Sequence, residues 1–138
     1  MDVDVLLCDS ARVREGLLHL LGGGITRLWR DRYPTQMGVD LAVIVTLTPA
    51  ERASAHTLDV NILGADGEQI AQVQGEFQVE AGGDVEAWAS SIVPLVLPLR
   101  NVALPEAGDY MIDVLVDKQS RRSINIRAAP RTPDSAGD

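Results

Sequence analysis

A period of two constrains this chain more than any other feature. In "TLDVNIL" (57–63), Leu58, Val60 and Ile62 fall on one side of an extended backbone, and Thr57, Asp59 and Asn61 fall on the other. In "IAQVQGEFQVE" (70–80), Ala71, Val73, Phe77 and Val79 alternate with Gln72, Gln74, Glu76, Gln78 and Glu80. Successive side chains of a strand point to opposite faces, so each segment can bury one face and wet the other. Between the two segments, Asp66-Gly67 tolerates positive φ and predicts a tight hairpin.

The same period recurs elsewhere. "VDLAVIVTLT" (39–48) is apolar or small on both faces, which predicts a central strand covered on both sides. "GDYMIDVLVDK" (108–118) alternates Tyr110, Ile112, Val114 and Val116 against Met111, Asp113, Leu115 and Asp117. A short turn then leads into "SINIR", making a C-terminal hairpin. "SIVPLVLPLRNVAL" (91–104) is extended but holds Pro94 and Pro98, which cannot donate to a ladder, so it belongs at an edge or hops between sheets. "TPAE" (48–51) has the form of a capping box and predicts one short helical turn near 49–54. The ambiguous stretch that includes residues 10–21 reads as a hairpin of strand 3–9, a turn through Arg14 to Gly16 and strand 17–22, with Gly22 to Gly24 as a bulge and "ITRLWR" continuing the strand. A helix capped at Asp9 or Ser10 is the competing reading, at the cost of Gly16 in its interior. The expected fold is all-β, an immunoglobulin-like antiparallel sandwich of eight or nine strands. It forms one domain over 1–127, followed by a disordered tail over 128–138 that has two prolines and no large apolar residue.

Composition removes whole classes of function. The net charge of −8 argues against nucleic acid and anionic membrane as partners, since both demand Lys and Arg. The N-terminus lacks a basic region before its apolar stretch, so the expected compartment is the cytoplasm. A single cysteine, Cys8, excludes an internal disulfide, and its strand context predicts a buried, inert thiol. Only His19 and His56 could serve a nucleophile, and both read as structural. Asp2 and Asp4 share a strand face, and Asp31, Asp66, Asp84, Asp109 and Asp117 scatter over turns at both ends, so no metal site is expected. "LLGGGITRL" lacks the Lys-Ser/Thr of a phosphate loop. No catalytic residue and no cofactor follow from the sequence.

Two stretches resemble known patterns. "LPEAGDYMIDV" resembles the tyrosine corner of immunoglobulin-like domains, which implies that the Tyr110 hydroxyl bonds backbone a few residues upstream. The order "CD…EGLL.LLGGGITRLW", "H.L.V.I…DG", "G.Y…V.VD" resembles a group of short, uncharacterised bacterial proteins, mainly actinobacterial. That resemblance supports the hairpin and implies no activity. The expected function is therefore a non-enzymatic interaction or assembly module. Its partner would be another protein or a second copy in a homodimer, joined through the proline-bearing edge or the Trp29 region. A small-ligand or carbohydrate-binding sandwich is the alternative. In either case "RLWRDRY" is the most site-like stretch, because Trp, Tyr and Arg dominate binding hot spots. The candidate surface is Arg27, Trp29, Arg30, Arg32 and Tyr33, with Trp88 added from a loop.

Overall fold

Alternating apolar residues become strands wherever a neighbour can cover one face. The computed structural model describes residues 1–79 and 88–131. It runs β1 (Asp2–Cys8), β2 (Ser10–Arg14), β3 (Leu17–Leu21), β4 (Arg27–Arg30), β5 (Thr35–Gln36), β6 (Asp40–Leu47), β7 (His56–Gly64), β8 (Gln69–Phe77), β9 (Ser91–Pro98), β10 (Ala103–Leu104), β11 (Gly108–Val116) and β12 (Gln119–Pro130). Glu80, Asp84 and the tail from residue 132 lie outside the described residues.

Two sheets face each other across one core. One has the order β1-β6-β9 and the other β4-β12-β11-β7-β8. Leu41, Val43, Val45 and Leu47 of β6 pack in one cluster with Leu58, Val60 and Ile62 of β7 and with Tyr110, Ile112, Val114 and Val116 of β11. Fully burying each such side chain contributes roughly 1.5–3 kcal/mol. The small β5–β10 pair closes one side. The β2–β3 hairpin forms a sheet of its own and lies against β9 and β6.

Local chemistry explains the connections. Thr48 N–H donates to Glu51 Oε1 at 2.9 Å while Glu51 N–H donates to Thr48 Oγ1 at 3.3 Å, a reciprocal capping box on the 3-10 turn Glu51–Ala53. Glu15 and Gly16 both take positive φ, as a two-residue mirror-image turn requires, so residues 10–21 are a hairpin and not a helix. Its first arm is Ser10–Arg14 and not the expected 3–9, because β1 pairs with β6 instead. Among the described residues β9 pairs only with β6, as expected of a strand bearing Pro94 and Pro98. Tyr110 Oη donates to the Glu106 carbonyl at 2.6 Å and accepts from Glu106 N–H at 3.3 Å, so the corner geometry is present.

Three expectations need correction. There are twelve strands among the described residues, not eight or nine, because the two-residue pieces β5 and β10 pair and the N-terminal stretch divides into four. "ITRLWR" does not continue the hairpin: β4 crosses to the larger sheet and pairs with β12 in parallel, an exception to the antiparallel rule. That pairing also carries β12 to Pro130, beyond the expected boundary at 127. Ala128, Ala129 and Pro130 stand opposite Leu28, Trp29 and Arg30, and Arg131 N–H donates to the Arg30 carbonyl at 2.8 Å.

Candidate functional site

Strand alternation decides what "RLWRDRY" can present. Leu28 of β4 is buried in the core, so its neighbours Arg27 and Trp29 point outward. The Arg27 guanidinium carbon lies 5.9 Å from the centroid of the Trp29 ring, which is 38% exposed. This is a cation–π pair on the outer strand of the five-stranded sheet.

Other members of the stretch are used internally. The Arg30 side chain donates to the carbonyls of Trp29, Gln36 and Met37, which ties β4 to the segment after β5. Tyr33 Oη donates to the Ala129 carbonyl at 2.9 Å. Burial pushes the Tyr33 phenol up, against a smaller opposing effect of Arg30, so it remains a donor. Arg32 is exposed. Trp88 is 78% exposed, but it precedes β9 at the end marked by Leu47 and His56, whereas β4 lies at the end marked by Gly108 and Pro130. The structure thus brings Arg27 and Trp29 together, turns Arg30 and Tyr33 to structural work, and leaves Trp88 at the far end.

Beside Arg27 the outer face of the large sheet dips into an open concavity of about 720 Å³. Its lining includes Arg27, Leu63, Asp109, Met111, Asn125 and Arg127. The parallel register sets Arg27 directly across from Arg127, and Arg127 pairs with Asp109 at 3.2 Å. Two guanidiniums against one carboxylate leave this wall with one surplus positive charge in an otherwise acidic chain.

Elsewhere, polar and charged groups are buried for architecture. Arg100 clasps Asp40 through Nε at 3.3 Å, and Asp40 also accepts from Ala11 N–H at 3.0 Å, fixing the hairpin root. Cys8 is buried, its thiol directed to the Asp40 carbonyl at 3.4 Å; desolvation, and secondarily Asp40, push the thiol up and keep it protonated. His19 is exposed on β3. No cluster of three or more His, Cys, Asp or Glu suited to a metal ion occurs among the described residues. No helix among them is long and apolar enough to cross a membrane.

Sequence reasoning missed the outward face of the β2–β3 hairpin. Leu17 and Leu21 are 62% and 70% exposed there. The signal was available: "LLHLL" has leucines on both faces, and a two-stranded hairpin can bury only one.

Fold and surface together define an all-β, sandwich-like domain with a cation–aromatic pair beside a shallow basic concavity. The chain belongs to a family of unknown function, DUF6941, whose sequence profile matches residues 4–129. No curated protein and no solved structure matches it.

Proposed function

We propose that the chain is a non-enzymatic interaction module that engages a protein partner through the Arg27–Trp29 surface. One observation carries this reading: a tryptophan and an arginine, both turned to solvent, stack on each other at the free edge of the larger sheet. Large aromatic and guanidinium groups are the side chains that dominate interface energetics, and exposing them without a partner wastes burial. The Tyr110 corner supports reading the sandwich as immunoglobulin-like, so the functional argument rests on the surface and not on the fold. The acidic net charge favours a protein over nucleic acid or an anionic membrane, and a cytoplasmic setting is part of the proposal.

The test is affinity capture with the full chain and with Trp29→Ala and Arg27→Glu variants of unchanged melting temperature. A partner retained by the wild type and lost from both variants supports the surface; one retained equally by all three refutes it.

A second reading rests on the concavity, whose volume falls in the range of small-molecule sites, about 300–1,000 Å³. Its ligand would set an anionic group against Arg27 and Arg127 and an apolar body against Leu63 and Met111. Titration of Trp29 fluorescence in a Trp88→Phe background, with a panel of glycans and organic acids, separates the readings. A saturable change favours the ligand, and a flat response to every compound removes it.

A further inference from the structure

The outward strand edges of this fold are not equally protected. Pro94 and Pro98 stand four apart on β9, so both imide nitrogens face the edge away from β6 and cannot donate there. The open side of β1 is met at Leu7 by the N–H groups of Gly24 and Ile25, at 2.9 and 3.0 Å. β8 carries Gln72, Gln74 and Glu76. β3 has no such device. It pairs only with β2 among the described residues, and Leu17-Leu18-His19-Leu20-Leu21 contains no proline, no glycine and no fixed charge.

We propose that the free edge of β3 pairs with the same edge of a second copy of this chain, antiparallel and centred on His19. The sequence of β3 is a palindrome, so a two-fold axis through His19 sets Leu17 against Leu21, Leu18 against Leu20, and His19 against itself. Backbone geometry agrees. The two-residue turn makes Arg14–Leu17 the first hydrogen-bonded pair, and alternation puts Arg12–His19 and Ser10–Leu21 in the same class. The N–H and C=O of Leu18 and Leu20 therefore point away from β2, toward the open edge. In the paired edge they form two hydrogen-bonded pairs flanking His19, whose side chains meet in the close, non-hydrogen-bonded position.

Charge and area fit this occupant. Residues 10–21 carry Arg12, Arg14 and Glu15, a balance of +2 − 1 = +1 in a chain of net −8, so each hairpin brings a small opposite charge toward an acidic partner. Pairing covers Leu17 and Leu21 of both copies beneath flanking arginines on β2. A two-strand seam buries less than the ~1,200 Å² of a stable interface, so the dimer is reversible, with a dissociation constant on the order of micromolar or weaker. This surface is separate from the Arg27–Trp29 face and does not rest on its reading.

Sedimentation velocity on the full chain, up to about millimolar concentration, tests the proposal. The wild type shows a reversible monomer–dimer equilibrium. His19→Asp and His19→Lys each weaken it by roughly fivefold or more, because like charges then meet across the axis. An equimolar mixture of the two variants regains association, and Trp29→Ala leaves the dimer intact. In the wild type, hydrogen exchange of the Leu18 and Leu20 amides slows as concentration rises, a readout that needs no variant to fold. A wild type that is monomeric throughout, a dimer indifferent to charge at residue 19, or one abolished by Trp29→Ala overturns the proposal.

Discussion

His56 donates from Nδ1 to Oδ2 of Asp117 across 2.6 Å, joining the start of β7 to the turn before β12. Its Nε2 lies 2.5 Å from the Glu51 carbonyl, which can only accept, so both contacts are satisfied together when the ring carries protons on both nitrogens. The ring also stacks on Phe77 at 5.4 Å. The Asp117 hydrogen bond, and next the Glu51 carbonyl, hold His56 above its ordinary value; His56 in turn holds Asp117 below the usual carboxylate range.

Stability should therefore peak in mildly acidic solution. The His56 contribution is complete below the unfolded pKa of about 6.5 and is lost as pH rises through the higher folded value. The Asp117 contribution is complete above about 3.9 and is lost as pH falls through the lower folded value. Both describe one bond, worth about 1 kcal/mol once screening at the half-exposed Asp117 is allowed for. Melting temperature should fall from pH 6 to pH 8.5, and His56→Gln should flatten that fall. An equal slope in the variant would show that other groups carry it.

Asp59 predicts a second sensitivity. Its carboxylate is buried on the polar side of β7, where Lys118 Nζ at 3.0 Å and Gln74 Nε2 at 2.9 Å satisfy it. Lys118→Met leaves a buried carboxylate short of its cation and should cost about 1–3 kcal/mol in urea unfolding. Adding Asp59→Asn should recover most of the loss. If the double variant is as unstable as Lys118→Met alone, the cost belongs to the turn, where Lys118 sits at φ +68.

Much of this architecture could be read from residue order because its causes are local. The alternation of β7 and β11, the capping box at Thr48 and Glu51, and the mirror-image turn at Glu15-Gly16 each depend on residues within a few positions. The parallel β4–β12 seam could not be read so, since four residues carry too little periodicity and their partner lies about a hundred positions away. The site suffered for the same reason. Composition marked "RLWRDRY", but which side chains face solvent depends on Leu28 entering the core and on acceptors at Gln36, Met37 and Ala129. The period of two puts Asp59 on the wet face, yet it is buried, because Gln74 and Lys118 close over it.

Two tyrosines hold backbone by single hydroxyls, Tyr110 four residues upstream and Tyr33 across the chain at Ala129, and removing each oxygen separates their effects. Tyr110→Phe deletes the Glu106 bonds and should cost about 1–2 kcal/mol, with the loop before β11 exchanging faster. Tyr33→Phe deletes only the bond to Ala129 and should cost about 0.5–1.5 kcal/mol. Its effect on hydrogen exchange should centre on the β4–β12 seam. Equal loosening of both regions by either variant would show that the hydroxyls do not act locally.

The hairpin offers a pair of substitutions with opposite signs. Glu15 sits at φ +54 and Gly16 at φ +73, the conformation in which Asn-Gly is the favoured dipeptide and a glutamate side chain is strained. Glu15→Asn should stabilise the hairpin by a few tenths to about 1 kcal/mol and raise amide protection along β2 and β3. Gly22, at φ +65, closes the hairpin root, where an added Cβ would stand 3.0 Å from the Cβ of Asp9. Gly22→Ala meets both the backbone penalty and that contact, and should cost about 1–2 kcal/mol. Because Asp9 and Asp40 share the Arg100 side chain, the loosening should spread to the end of β6 and not stop at the hairpin. Amide exchange confined to residues 10–21 in Gly22→Ala would show instead that the hairpin opens as an independent unit.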